Sequence, residues 1–152
     1  MCYSSLTIAR YFVEKSHGSK DSLQLNKLAY IAHGWSLALY DRPLIVEDIE
    51  AWEYGPVVPV LYYEFKKFGR YPIPVQHVEE TKHIKDEDIV LLDKVLDEYG
   101  GFEGIELSSM THQKGTPWTK SYRKGARNII KNDLIKHYYS ERSKMASNGK
   151  YQ

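Results

Sequence analysis

Apolar residues recur at intervals of three and four along most of this chain, and the places where that rhythm stops predict its helix ends. In "SLTIARYFVEKSHG", Leu6, Ala9 and Val13 form a stripe with Ile8 and Phe12 beside it, and Gly18 supplies the stop. The longest run is "LQLNKLAYIAHGWSLALY", which sets Leu25, Leu28, Ala32, Trp35 and Leu39 on one face. Asp21 and Gln24 ahead of it have the spacing of a capping box. Gly34 within this helix costs on the order of 1 kcal/mol relative to Ala, which implies a neighbour that needs close approach.

"DRP" then breaks the helix, and the β-branched residues of "LIVEDIEAW" predict one or two short strands. Pro59 suits the first turn of a further helix with Val57, Leu61, Phe65 and Phe68 as its stripe, ending at Gly69. Past the extended "RYPIPV", a helix from Asp86 carries Ile89, Leu92, Leu96 and Tyr99 and stops at Gly100 and Gly101. "GIELSSMTHQKGTPW" reads as a short helix punctuated by Gly115 and Pro117, and a last helix runs from about Asn128 to Tyr139 on Ile130, Leu134 and Tyr138. The fold class expected is mainly α with a minor β part (α+β): a helical single domain over residues 1–140, a small β element inserted after the main helix, and a polar tail over 141–152.

Composition supports one soluble domain, with 42% hydrophobic and 27% charged residues. The lone cysteine, Cys2, excludes an internal disulfide and fits a reducing cytoplasm. No stretch approaches the roughly 20 apolar residues of a membrane span, so no membrane partner is expected. The net charge of +1 divides unevenly: residues 1–113 hold 11 Lys and Arg against 18 Asp and Glu, and residues 114–152 hold 10 against 2. A basic segment folded onto an acidic body is the simpler account; nucleic-acid binding is the other, and it lacks a recognisable motif.

Candidate chemistry is sparse. The six histidines include no pair at i and i+4, and neither a phosphate-binding glycine loop nor a nucleophile elbow is present. No catalytic residue, metal or cofactor is expected. His112, with Glu103 and Glu106 near it in sequence, is the strongest exception, and a histidine bonded into a helix end explains it more simply. His33 reads in the same way, as a partly buried ring with a backbone partner.

The stretch "EAWEYGPVVPVLYYEFKKFG" is different, because its aromatic residues exceed what a core needs. Gly55 before Pro56 fixes a turn and can take positive φ. Trp52 and Tyr54 flank that turn at alternate-strand spacing, and Tyr62, Tyr63 and Lys66 fall off the apolar stripe of the following helix. Trp52 fits either the core or a surface, while Tyr62 and Tyr63 fit a docking face, since aromatic side chains give large contact area at low entropy cost. The candidate partner-binding set is therefore Trp52, Tyr54, Gly55, Pro56, Tyr62, Tyr63 and Lys66.

"LNKLAYIAHGWSLALYDRPLIVEDIEAWEYGPVVPVLYYEFKKFG" closely resembles the signature of the Panacea domain, the SocA-like antitoxin family, which includes many phage-associated proteins. The K-L-x-Y-x-A-x-G-W helix, the P-L linker, I-E-A-W-x-Y-G-P-V-x-P and the aromatic helix carry the resemblance, together with His112 and the later Pro117–Trp118. It extends over roughly residues 5–140 and leaves out the basic tail. It implies an antitoxin that neutralises a co-encoded protein toxin by direct contact, blocking it or delivering it to a cellular protease, without catalysis. A nucleic-acid-binding regulator using the basic C-terminal segment is the alternative, and an enzyme built on His112 the third.

Overall fold

A central helix organises the molecule. The computed structural model describes residues 2–147, and among these are seven α-helices: α1 Ser5–Lys15, α2 Ser22–Tyr40, α3 Pro59–Phe65, α4 Asp86–Tyr99, α5 Gly104–His112, α6 Pro117–Ser121 and α7 Asn132–Ser147. The mainly helical class and the small β element expected from the sequence are both present. Helix α2 begins with the expected capping box, in which the Asp21 carboxylate accepts from the Gln24 N–H and the Gln24 side chain accepts from the Asp21 N–H.

One apolar face was expected on α2, and the structure instead buries the helix nearly all round, because α1, α3, α4, α5 and α7 pack about it. Leu39, assigned to that face, is 51% exposed. The buried polar residues of α2 have partners: Asn26 and Lys27 bond the segment before α3, and the Ser36 hydroxyl donates to the Arg42 carbonyl at 2.8 Å. Gly34 has the close neighbour its sequence position implied, since the Tyr139 ring of α7 occupies the space a Cβ would need.

Strands β1 (Glu50–Trp52) and β2 (Gly55–Val57) form an antiparallel hairpin with Trp52 opposite Gly55. On the other side of β1 the chain returns: Glu50 bridges Ile129, the Ala51 N–H donates to the Asn128 carbonyl and the Ile130 N–H to the Ile49 carbonyl, both at 2.8 Å. That pairing draws residues 128–130 out of the helix expected there, so α7 starts at Asn132 rather than Asn128. The helix then continues through 141–147, part of the expected tail, and residues 148–152 lie outside the described residues. Val57, expected on the α3 stripe, belongs to β2, and Phe68 closes a 3-10 turn, Lys66–Phe68, that follows α3. The face of α4 is likewise turned by a residue, burying Leu91, Leu92 and Val95. No helix among the described residues is long and apolar enough to cross a membrane.

Candidate functional site: a pinned hairpin and its aromatic face

The hairpin is held from beneath by its own carbonyls. Successive residues of a strand point opposite ways, so carbonyls two apart present to one side. Trp118 of α6 donates its indole N–H to the Trp52 carbonyl at 2.6 Å, and the Ser108 hydroxyl of α5 donates to that of Tyr54 at 2.6 Å. From α2, the Lys27 amine donates to the Pro56 carbonyl at 2.5 Å. Asn26 continues the series, donating to the Val58 carbonyl at 3.1 Å and accepting from its N–H at 2.9 Å. Four side chains from three helices thus fix one short stretch of backbone.

Lys27 is 1% exposed, and burial pulls its amine down to about 7. Gly55 sits above it at φ +127, where a Cβ would lie 3.3 Å from Lys27 Nζ and 3.6 Å from Thr111 Oγ1. Positive φ and this packing both favour glycine there. Gly55 and Pro56 are buried, so these two members of the predicted set lie inside the molecule, and the two-residue turn is Glu53–Tyr54.

The outer face carries the aromatics. Trp52 is half-buried, settling between the two options left open for it, and its indole N–H donates to Glu50 Oε1 at 2.9 Å. Its ring meets Tyr62 and Tyr63 edge-on at centroid distances of 5.0 and 6.3 Å, and those two meet each other at 5.2 Å. Lys66 Nζ lies 5.9 Å from the Tyr62 ring centre. Tyr54, 71% exposed, makes no ring contact with Trp52; the turn carries it away from the cluster. The structure therefore brings together Trp52, Tyr62, Tyr63 and Lys66.

One residue of this face escaped the sequence reading. Arg127 lies with its guanidinium 4.0 Å above the centre of the Trp52 ring and donates to the Tyr63 hydroxyl at 3.0 Å. The antiparallel pairing of Glu50 with Ile129, carried on by two residues, sets Arg127 opposite Trp52 as a cross-strand neighbour. The basic segment and the aromatic stretch, separate candidates in the sequence, share one surface.

His33 and His112 both bond backbone groups. His33 Nδ1 accepts from the Leu44 and Ile45 N–H groups at 3.2 and 3.3 Å, which leaves the proton on Nε2, 2.9 Å from Asn132 Oδ1. Burial lowers its pKa, against an opposing pull from Asn132. His112 Nδ1 donates to the Ser108 carbonyl at 2.5 Å, and its ring lies against Trp118. Glu103 and Glu106 cap the other end of α5, where the Glu103 N–H donates to Glu106 Oε1 at 2.8 Å. A helical rise of about 1.5 Å per residue puts the caps roughly 9 Å or more from His112, so the three do not converge. No group of three His, Cys, Asp or Glu that could hold a metal occurs among the described residues.

Residues 25–119 match the family model described as antitoxin SocA-like, Panacea domain, which takes in most of α2, the hairpin, and the helices through Trp118. The chain belongs to this family. It is also 35% identical over 107 residues to Antitoxin SocA of Caulobacter vibrioides (strain NA1000 / CB15N), across 64% of this chain and 57% of that protein. The chain thus matches little more than half the length of that relative. No solved structure gives a significant match. Within the family match, several of the residues that carried the resemblance act on one element, because Lys27, Ala51, Gly55, Pro56 and Trp118 build and anchor the hairpin.

Proposed function

We propose that this protein is an antitoxin that neutralises a co-encoded protein toxin by binding it directly, with the hairpin and α3 as the docking surface. The observation that carries the reading is the Trp52–Tyr62–Tyr63 cluster, held outward on a stretch of backbone fixed by Trp118, Ser108, Lys27 and Asn26. A rigid aromatic face loses little entropy when a partner covers it. Family membership and the relative named as an antitoxin supply the class of function. The protein acts without catalysis, in the cytoplasm where its toxin is made, and either blocks the toxin or hands it to a protease. Of the predicted contact set, Trp52, Tyr62, Tyr63 and Lys66 touch the partner, Tyr54 extends the edge, and Gly55 and Pro56 shape the platform.

The test is co-expression with the protein encoded by the adjacent open reading frame. Growth arrest should be relieved by the wild-type chain and should persist with a Tyr62→Ala, Tyr63→Ala double variant that accumulates to the same level. Equal protection by both removes the docking surface from the hairpin. The nucleic-acid reading keeps the charge excess of residues 114–152 in its favour and requires a mobility shift that weakens steeply with salt.

A further inference from the structure

We infer that this surface receives an acidic segment: an Asp- or Glu-rich stretch of the protein partner whose carboxylates meet the Arg127 guanidinium beside Trp52. The inference rests on the proposed docking surface and adds the chemistry of what docks. Arg127 is exposed, yet its guanidinium is already placed, by the Trp52 ring beneath it and by the Tyr63 hydroxyl, which takes one of its five N–H donors. Among the described residues the remaining donors make no hydrogen bond. A guanidinium fixed in this way offers a carboxylate a two-point fork, with less side-chain freedom left to lose than a lysine has.

The cations of the cluster hold no ion pair among the described residues. Among the described residues no carboxylate pairs with Arg127, Lys66 or Lys67, although acidic residues stand close in sequence. Of those acids, Glu64 pairs with Arg10 at 3.6 Å, Glu50 accepts from the Trp52 indole and keeps its charge at the edge of the cluster, and Glu53 lies exposed in the turn. A partner bringing negative charge meets cations that need not leave another partner first.

The same geometry argues against nucleic acid. Single-stranded bases stack on open aromatic faces. Here Arg127 covers a face of Trp52, and the Trp52–Tyr62, Trp52–Tyr63 and Tyr62–Tyr63 pairs stand at 69°, 61° and 83°, so an edge of one ring meets a face of the next and no two of the three lie parallel. A cation set among tilted rings suits carboxylates flanked by apolar side chains.

A fluorescein-labelled peptide of repeating Glu-Phe-Glu-Leu, titrated against the full chain beside its Gln-for-Glu counterpart and a single-stranded oligo(dT), tests this. The acidic peptide should bind at least about tenfold tighter than the amide peptide, a difference the charge-assisted fork can supply. Arg127→Glu should erase the preference and Arg127→Lys should keep part of it, with circular dichroism unchanged in both. Peptides that bind alike, no binding by either, an unaffected Arg127→Glu, or tighter binding of oligo(dT) each overturn the inference, the last in favour of nucleic acid. In the toxin-protection assay, full protection by Arg127→Glu with loss in the tyrosine double variant leaves the docking surface standing and removes the acidic contact. Full protection by both removes the two together.

Discussion

The inner and outer sides of the hairpin are built from the same few residues and follow opposite rules. On the inner side the backbone carbonyls of Trp52, Tyr54, Pro56 and Val58 each have a side-chain donor, and Gly55 packs where a larger residue would crowd Lys27. On the outer side Tyr62 and Tyr63 are exposed, and what order they have comes from one another, from Trp52 and from Arg127. Substitution inside should therefore be read as lost stability, and substitution outside as lost binding. The family signature belongs largely to the inside, so a resemblance can identify the scaffold while leaving the partner unnamed.

The sharpest way to break this contrast is Leu61→Ala, which empties a fully buried site on α3. It should cost about 2 to 5 kcal/mol in denaturant unfolding, while the molecules still folded retain toxin binding. If the folded fraction binds poorly, packing and docking are not separable. The mirror experiment uses Tyr62→Ala and Tyr63→Ala. Each should lose about 2 kcal/mol of partner affinity by calorimetry, and no more than about 1 kcal/mol of stability, the worth of an edge-to-face aromatic contact.

The third experiment is a pH series on Lys27. Burial sets its folded-state value near 7 against 10.5 in the unfolded chain, so between those pH values the unfolded state holds the extra proton. Stability should then rise with pH across that window, by up to about 1.4 kcal/mol per pH unit. Urea midpoints from pH 7 to about 9.5 measure it, and in Lys27→Met the slope should vanish. Three other buried groups bound the window. Neutral His33 makes stability fall as pH drops below the ordinary histidine range, and Tyr30 and Tyr139, raised by burial, make it fall above pH 10 because the folded state keeps their protons.

Smaller effects sharpen the picture. Gly55→Val should cost at least about 1 kcal/mol, from strain at φ +127 and crowding of the Lys27 amine, and should weaken partner binding as Trp52 shifts. Tyr30→Phe removes a buried hydroxyl that has no partner among the described residues, in contrast to the bonded Asn26 and Lys27 on the same helix. Its melting temperature should be unchanged or slightly raised.

Local rules were legible in the sequence. The Asp21–Gln24 capping box, the close neighbour at Gly34, the left-handed Gly55 and the Pro59 helix start depend on residues near one another or on the demands of a single backbone position. What could not be read came from distant contacts. The all-round burial of α2 depends on five other helices, and no periodicity within "LQLNKLAYIAHGWSLALY" reports it; the buried Lys27 and His33 look like polar-face residues until a carbonyl or two amides are found beside them. The late start of α7 and the placement of Arg127 follow from pairing with β1 across about eighty residues. Their only trace in the sequence is the β-branched pair Ile129–Ile130, which reads equally well as helix.

The return of the chain alongside β1 also sets a schedule for the protein's own making. Ile49 waits for Ile130, and Trp52 for Arg127, so a nascent chain that has already formed α2 and the hairpin still lacks the guanidinium of its outer face. At about 5 to 20 residues per second, the ribosome takes several seconds to travel from the hairpin to that residue. A chain that stops just short of residue 127 carries most of the family signature and is nonetheless born without the finished surface.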